Sequence, residues 1–116
     1  MRRFVILATP RSGSNLLCTL LNSHPDVLCH HELFNPAGIF TALPLRDDPH
    51  FDLGSRSARD ADPAAFLEQV WERNLGHDWL GFKITDPQQP ALRKHLCQDA
   101  TIHKIVLRRR SALKAY

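Results

Sequence analysis

Phe4-Val5-Ile6-Leu7-Ala8-Thr9-Pro10-Arg11-Ser12-Gly13-Ser14-Asn15-Leu16-Leu17 is the stretch on which the fold of this chain turns. Phe4 to Ala8 is an unbroken, β-favouring apolar run, too short for a buried helix and stopped by Thr9-Pro10. That is the pattern of a strand buried on both faces. After Gly13, Leu16, Leu17, Leu20 and Leu21 recur at the spacing of one helical face until Asn22-Ser23-His24-Pro25 ends it. A strand that turns tightly into a helix opens an α/β unit. At such a turn, backbone amides and the positive helix end converge on one point, so a phosphate-like anion is the expected guest. Gly13 permits the tight backbone, Ser12 and Ser14 supply hydroxyl donors, and Arg11 adds a permanently charged fork able to hold two oxygens of a phosphate or sulfonate. The bland alternative is an ordinary strand-to-helix turn capped by Ser14.

Outward from this stretch, Val27-Leu28-Cys29 reads as a second short strand. Residues 35–61 contain Asp47-Asp48-Pro49 and little periodicity, which predicts a long surface excursion with a helical turn near Ile39-Phe40. Asp62-Pro63 places a cap before a proline at the first helical position, and Phe66, Leu67, Val70, Trp71 and Leu75 give that helix an apolar face ending at Gly76. Trp79 to Ile84 is a third strand, Pro90 to Cys97 a short helix with Leu92 and Leu96 inward, and His103 to Leu107 a fourth strand. Ser111 to Tyr116 begins another helix. Strands alternating with helices predict a three-layer α/β fold whose parallel sheet is covered on both faces.

A length of 116 residues is one domain, and 43% hydrophobic with 23% charged residues is globular composition, which excludes wholesale disorder. The apolar runs fall well short of the ~20 residues of a membrane span, and Phe4 to Ala8 is too short for a signal-peptide core of ~7–15 residues. A soluble, cytoplasmic chain is therefore expected. Cys18, Cys29 and Cys97 are an odd number without a CxxC pair, so reduced thiols are expected rather than a disulfide framework or zinc knuckle. The net charge of +3 is unevenly spread: every carboxylate lies between Asp26 and Asp99, leaving both ends of the chain purely basic. A fold that joined those ends would create one electropositive site for an anionic ligand.

Two catalytic motifs are absent. GxxxxGK[ST] does not occur, which removes the sequence support for triphosphate hydrolysis. His31-Glu32 starts an HExxH pattern, but Asn35 stands where the second zinc ligand would be, so no metal is expected. His30-His31-Glu32 follows the second strand, which places Glu32 near the carboxyl edge of the sheet, where open α/β sheets bind ligands. A carboxylate or imidazole there could take a proton from a hydroxyl, whereas a solvated loop carboxylate would not.

The sequence ATPRSGSNLLCTLLNSHP resembles the phosphosulfate-binding loop of sulfotransferases that use 3′-phosphoadenosine 5′-phosphosulfate (PAPS), in particular the bacterial carbohydrate and trehalose-type branch with Arg in place of the cytosolic branch's Lys. The resemblance implies a P-loop-like architecture in which Pro10, Arg11, Ser12, Gly13, Ser14 and Asn15 bind the donor. Arg11 would also stabilise charge on the bridging oxygen as the sulfonate leaves. Asn15 stands where the family usually has Thr. His103-Lys104-Ile105-Val106-Leu107-Arg108-Arg109-Arg110-Ser111 resembles the 3′-phosphate-binding segment, which favours Arg110, then Arg109, as the phosphate ligand; the family's helical Ser would fall beyond Tyr116. The resemblance makes Glu32 the first candidate base and His31 the second. Gly81-Phe82-Lys83 resembles a stretch of the family's third strand in which Lys83 would reach the acceptor or sulfonate; a Lys with its stem on a strand end is the simpler alternative.

The implied activity is transfer of a sulfuryl group from PAPS to a hydroxyl-bearing small molecule, carbohydrate or glycolipid, without a metal or a covalent enzyme intermediate. Family members continue with further helices, so residues 1–116 are expected to be the N-terminal part of a sulfotransferase domain, truncated after the fourth strand. Two other functions compete. A kinase would need a P-loop Lys and Mg²⁺ ligands that the sequence lacks. A catalytically inactive nucleotide- or nucleic-acid-binding module would use Arg108 to Arg110, although no nucleic-acid motif accompanies them.

Overall fold

The computed structural model describes residues 1–9, 13–85 and 88–107. Its strands are β1 (Arg2–Ala8), β2 (Val27–Glu32), β3 (Trp79–Thr85) and β4 (Ile102–Leu107), and its helices α1 (Ser14–Asn22), α2 (Arg56–Ala61), α3 (Pro63–Glu72) and α4 (Pro90–Gln98), with a 3₁₀ turn at Leu43–Leu45. The strands form one sheet in the order β2-β3-β1-β4, every neighbouring pair parallel. The apolar run from Phe4 thus becomes an inner strand. Its side chains alternate between two cores. Phe4, Ile6 and Ala8 pack with Cys18 of α1 and Cys29 of β2 on one face, while Val5 joins Leu80, Phe82, Ile84 and the α3 residues Phe66, Leu67, Val70 and Trp71 on the other. Leu96 of α4 joins the second core, with Leu92 packed against it. The architecture is a three-layer α/β fold, as the alternation predicts. Among the described residues no helix is long and apolar enough to cross a membrane.

Several local expectations change. In α1 the buried residues are Ser14 and Cys18, with Leu17 and Leu21 partly buried against the sheet, whereas Leu16 and Leu20 are 64% and 58% exposed. The inward stripe is therefore 14, 17, 18, 21, a true i, i+3, i+4, i+7 set, and the four leucines straddle its boundary. Asp62 caps α3 by accepting the Ala65 N–H at 3.1 Å, but the helix stops at Glu72, and Leu75, at a φ of 51°, is exposed. The second strand runs three residues further than the Val27-Leu28-Cys29 core and takes in Glu32. The helix expected over Ser111 to Tyr116 lies outside the described residues.

The 35–61 excursion is not merely superficial. It holds a 3₁₀ turn at Leu43–Leu45 rather than a turn at Ile39-Phe40, and Asn35 and Gly38 just before that point form an antiparallel bridge. It also holds the whole of α2, where the sequence predicts only loop. Ala42 and Leu53 enter the core, and Arg59 is 1% exposed. A buried guanidinium needs partners in the interior. Arg59 donates through Nη1 to the carbonyls of Leu33, Asn35 and Gly38 at 2.9, 2.8 and 2.9 Å, and through Nε to Asp60 at 2.9 Å. The excursion is therefore fastened directly behind the end of β2. On the outer side of the same strand, the Asn22 amide satisfies both backbone groups of Cys29, accepting from its N–H at 2.7 Å and donating to its carbonyl at 2.6 Å. An edge strand whose backbone is occupied this way is a poor template for further pairing.

Gly81 sets the approach of the two inner strands. It pairs with Phe4, and a Cβ at this position would overlap the Phe4 ring. Gly81→Ala is accordingly expected to cost about 1–3 kcal/mol, the usual range for overpacking a core. In urea unfolding, combining it with Phe4→Ala should give a loss well below the sum of the two single losses, because removing the ring removes the clash.

Candidate functional site

The first helix leaves the end of β1 for one face of the sheet, and α4 leaves the end of β3 for the other. Since β1 and β3 are neighbours, their carboxyl ends form a topological switch point, the crevice in which open α/β sheets bind ligands. Gly13 forms one wall. It is the N-cap of α1 at φ 83°, ψ 15°, a left-handed conformation natural to glycine, and it supplies no side-chain cap. Leu17 N–H donates to the Gly13 carbonyl at 3.3 Å, which leaves the amides of Ser14, Asn15 and Leu16 directed out of the helix start. Ser14 is thus the first helical residue, not the cap.

Lys83 stands at this helix start. The residue is 3% exposed, and its Nζ donates to Asn15 Oδ1 at 2.7 Å and Ser14 Oγ at 3.0 Å, with Glu32 Oε2 at 3.4 Å. What brings Glu32 there is an irregularity in β2. Cys29 pairs with Gly81 and Glu32 with Lys83, so three steps along β2 match two along β3. In a regular strand His31 would oppose Lys83 and Glu32 would turn to the opposite face. The extra residue of the bulge lets both His31 and Glu32 face the α1 side.

Glu32 is the last residue of β2, and its side chain is 24% exposed. Its Oε1 accepts from Gln88 Nε2 at 2.6 Å and from Thr85 Oγ1 at 3.3 Å. Burial pushes this carboxyl up, but the Gln88 amide, the Lys83 ammonium and the Thr85 hydroxyl together outweigh it and hold the group below the usual carboxylate range. It is an ionised carboxylate at neutral pH.

The two adjacent histidines differ in tautomer. Asn15 Oδ1, already accepting from Lys83, can only accept again, so His31 Nδ1 at 3.3 Å carries the proton and Nε2 is left with its lone pair. Burial, then the charges of Arg46 and Lys83, press the His31 pKa down, against a smaller upward pull from Glu32. His30 points to the other face, 0% exposed, where Nδ1 accepts the Ala42 N–H at 3.0 Å and the ring stacks on Phe51. It belongs to the anchoring of the excursion, not to the crevice.

Of the residues singled out in the sequence, Gly13, Ser14, Asn15, His31, Glu32 and Lys83 converge here. Pro10, Arg11, Ser12, Arg109 and Arg110 lie outside the described residues. The last described residues before the two basic segments are side by side, since Ala8 pairs with Leu107 and Thr9 N–H donates to the Leu107 carbonyl at 3.3 Å. Sequence reasoning missed Thr85, Gln88 and Arg46. Thr85 could have been found from its two-residue spacing from Lys83 on one strand face. Gln88 and Arg46 carry no such periodic signal.

A stretch of 32 residues in this chain is 56% identical to Nodulation protein H of Rhizobium tropici, covering 28% of this chain and 13% of that protein. No family model matches the chain, and neither does any solved structure.

Acid should unfold this protein partly through His30. Burial, with a smaller contribution from the charge of His31, lowers its pKa from an ordinary 6.5 to about 4, so between these values the unfolded chain binds a proton that the folded chain refuses. The contribution to stability is complete above pH 6.5 and declines as pH falls towards 4, by about 3 kcal/mol in all. Denaturant unfolding at stepped pH checks this. In His30→Phe, the slope between those two pH values should flatten.

Proposed function

We propose that the chain carries the donor end of a sulfotransferase that moves a sulfuryl group from PAPS to a hydroxyl acceptor, with a carbohydrate or glycolipid as the acceptor class. The observation that carries this reading is the buried Lys83 ammonium, held between the uncapped start of α1 and the Glu32 carboxylate at the switch point of the sheet. Such a site suits a phosphosulfate, because the amides of a helix start and a fixed cation both stabilise negative charge. The resemblance of the Thr9–Asn15 segment to a phosphosulfate-binding loop supports the same reading. The short match to Nodulation protein H also hints at sulfotransferase chemistry.

PAPS would supply an activated sulfuryl group on a phosphate leaving group. The amides at the start of α1, Ser14 and Asn15 would hold the anion, and Arg11 would add its guanidinium beside them. Arg110, or Arg109 next to it, would take the 3′-phosphate. Lys83 would stand between donor and acceptor, steadying the negative charge that grows on the oxygens during in-line transfer. Glu32 would receive the acceptor's proton. The attacking hydroxyl becomes acidic as its oxygen bonds to sulfur and the phosphate leaves, so a carboxylate suffices even with its basicity held low. His31, whose Nε2 is enclosed, is the less accessible acceptor of that proton.

The test is calorimetric titration of the folded chain with adenosine 3′,5′-bisphosphate, with AMP as the control. The bisphosphate should bind at least ~10-fold more tightly than AMP, and Arg11→Ala and Lys83→Ala should each weaken it by a similar factor, about 1.4 kcal/mol. A folded chain that binds neither nucleotide, or does not distinguish them, would overturn the donor assignment. Binding that instead falls steeply with salt and ignores the 3′-phosphate would favour the nucleic-acid module.

A further inference from the structure

We propose that Gln88 is the positioning residue for Glu32, fixing its carboxylate so that Oε2 is the oxygen presented to an incoming hydroxyl. The inference rests on the reading of Glu32 as the proton acceptor and adds to it a residue that no motif in the sequence marks.

The orientation of the Gln88 amide is set by its surroundings. Gln88 is 8% exposed and turns back on the end of β3, its own N–H donating to the Thr85 carbonyl at 2.7 Å. Its side-chain Oε1 accepts the Thr85 N–H at 3.3 Å. A backbone N–H can only donate, so the amide oxygen faces Thr85 and the NH₂ group must face Glu32. A flipped amide would set two N–H groups against each other at one end and two oxygens at the other. The 2.6 Å bond to Glu32 Oε1 is therefore directed, and it spans two segments far apart in sequence.

This contact divides the labour of the two carboxylate oxygens. Oε1 receives Gln88 and the Thr85 hydroxyl. Oε2 faces Lys83 at 3.4 Å, but that ammonium has closer partners in Asn15 at 2.7 Å and Ser14 at 3.0 Å. Lys83 thus acts on Oε2 through its charge and a long third hydrogen bond, which still leaves a lone pair there for a hydroxyl. The charged or titratable groups facing Glu32 among the described residues are Lys83 on β3, His31 beside it on β2 and the Cys18 thiol on α1; Ser14 and Asn15 bring no charge. Gln88 is the neutral donor that holds the carboxylate in register with them.

Two substitutions in the full chain test this. Gln88→Leu removes the donor at similar volume. Gln88→Glu keeps an oxygen for the Thr85 N–H while replacing the donor with a second carboxyl. The readout is the titration of the Glu32 carboxyl carbon by ¹³C NMR, the resonance being assigned by its loss in Glu32→Gln. Losing the Gln88 bond should raise the Glu32 midpoint by about one unit in Gln88→Leu. It should rise further in Gln88→Glu, where neighbouring carboxyls share a proton. The acid limb of kcat should move in the same direction, with KM for PAPS unchanged.

An unchanged Glu32 midpoint in either folded variant overturns the proposal, even if stability falls. A raised midpoint in a folded chain that binds no adenosine 3′,5′-bisphosphate upholds the positioning role and counts against the sulfotransferase reading instead.

Discussion

A buried ammonium cannot remain charged in a protein interior unless its surroundings replace the water it has lost. Lys83 imposes that constraint on this fold. Two of its partners sit at the start of α1 and the third at the end of β2, so one cation dictates how the helix start, the second strand and the third strand meet. Each neighbouring feature answers this demand. Asn15 offers Lys83 an oxygen, Ser14 turns inward instead of capping, and the bulge in β2 delivers a carboxylate to the face where the ammonium lies. Without the bulge, an imidazole would stand opposite Lys83, and the charge would lack an anionic partner among these residues.

The same arrangement explains why the helix start carries no side-chain cap. In most helices a Ser, Thr, Asp or Asn at the N-cap satisfies an orphan amide. Here the cap is Gly13, and Ser14 and Asn15, one and two residues on, direct their oxygens to Lys83. Polar side chains that might have closed the helix end are committed to the cation beside it. An uncapped helix end beside a fixed positive charge is a place where an anion replaces missing partners.

Much of this was legible in the sequence, for physical reasons that also mark where legibility ends. Short apolar runs, period-3.6 patterns and the turn residues located the four strands, the capped third helix and the Gly13 turn, because these are local preferences written in adjacent residues. The carboxyl-edge position of Glu32 followed from the α/β alternation alone. The inward stripe of α1 was misjudged because four leucines look alike in sequence, whereas the sheet below selects a stripe centred on a cysteine. The bulge is a property of pairing between residues some fifty positions apart, and no local pattern encodes it. Gln88 and Arg59 escaped for the same reason. Each is a single polar residue with partners far away in sequence, so its meaning exists only after folding.

Arg59 and Glu32 then connect the excursion to the chemistry. The Glu32 carbonyl accepts the N–H groups of Asn35 at 3.4 Å and Phe40 at 3.1 Å, and Arg59 gathers the Leu33, Asn35 and Gly38 carbonyls within the same turn. The backbone of Glu32 is thus part of the excursion's anchoring, while its side chain is part of the crevice. On the opposite sheet face, His30 fastens the excursion a second time through Ala42 and Phe51. If Glu32 is the proton acceptor proposed above, a segment tied this closely to it would decide which hydroxyl reaches that carboxylate. On the proposed reading, the donor side would rest on backbone amides and a buried cation, which a fold holds fixed. The acceptor side would rest on a loop, where sequence can vary without disturbing the sheet.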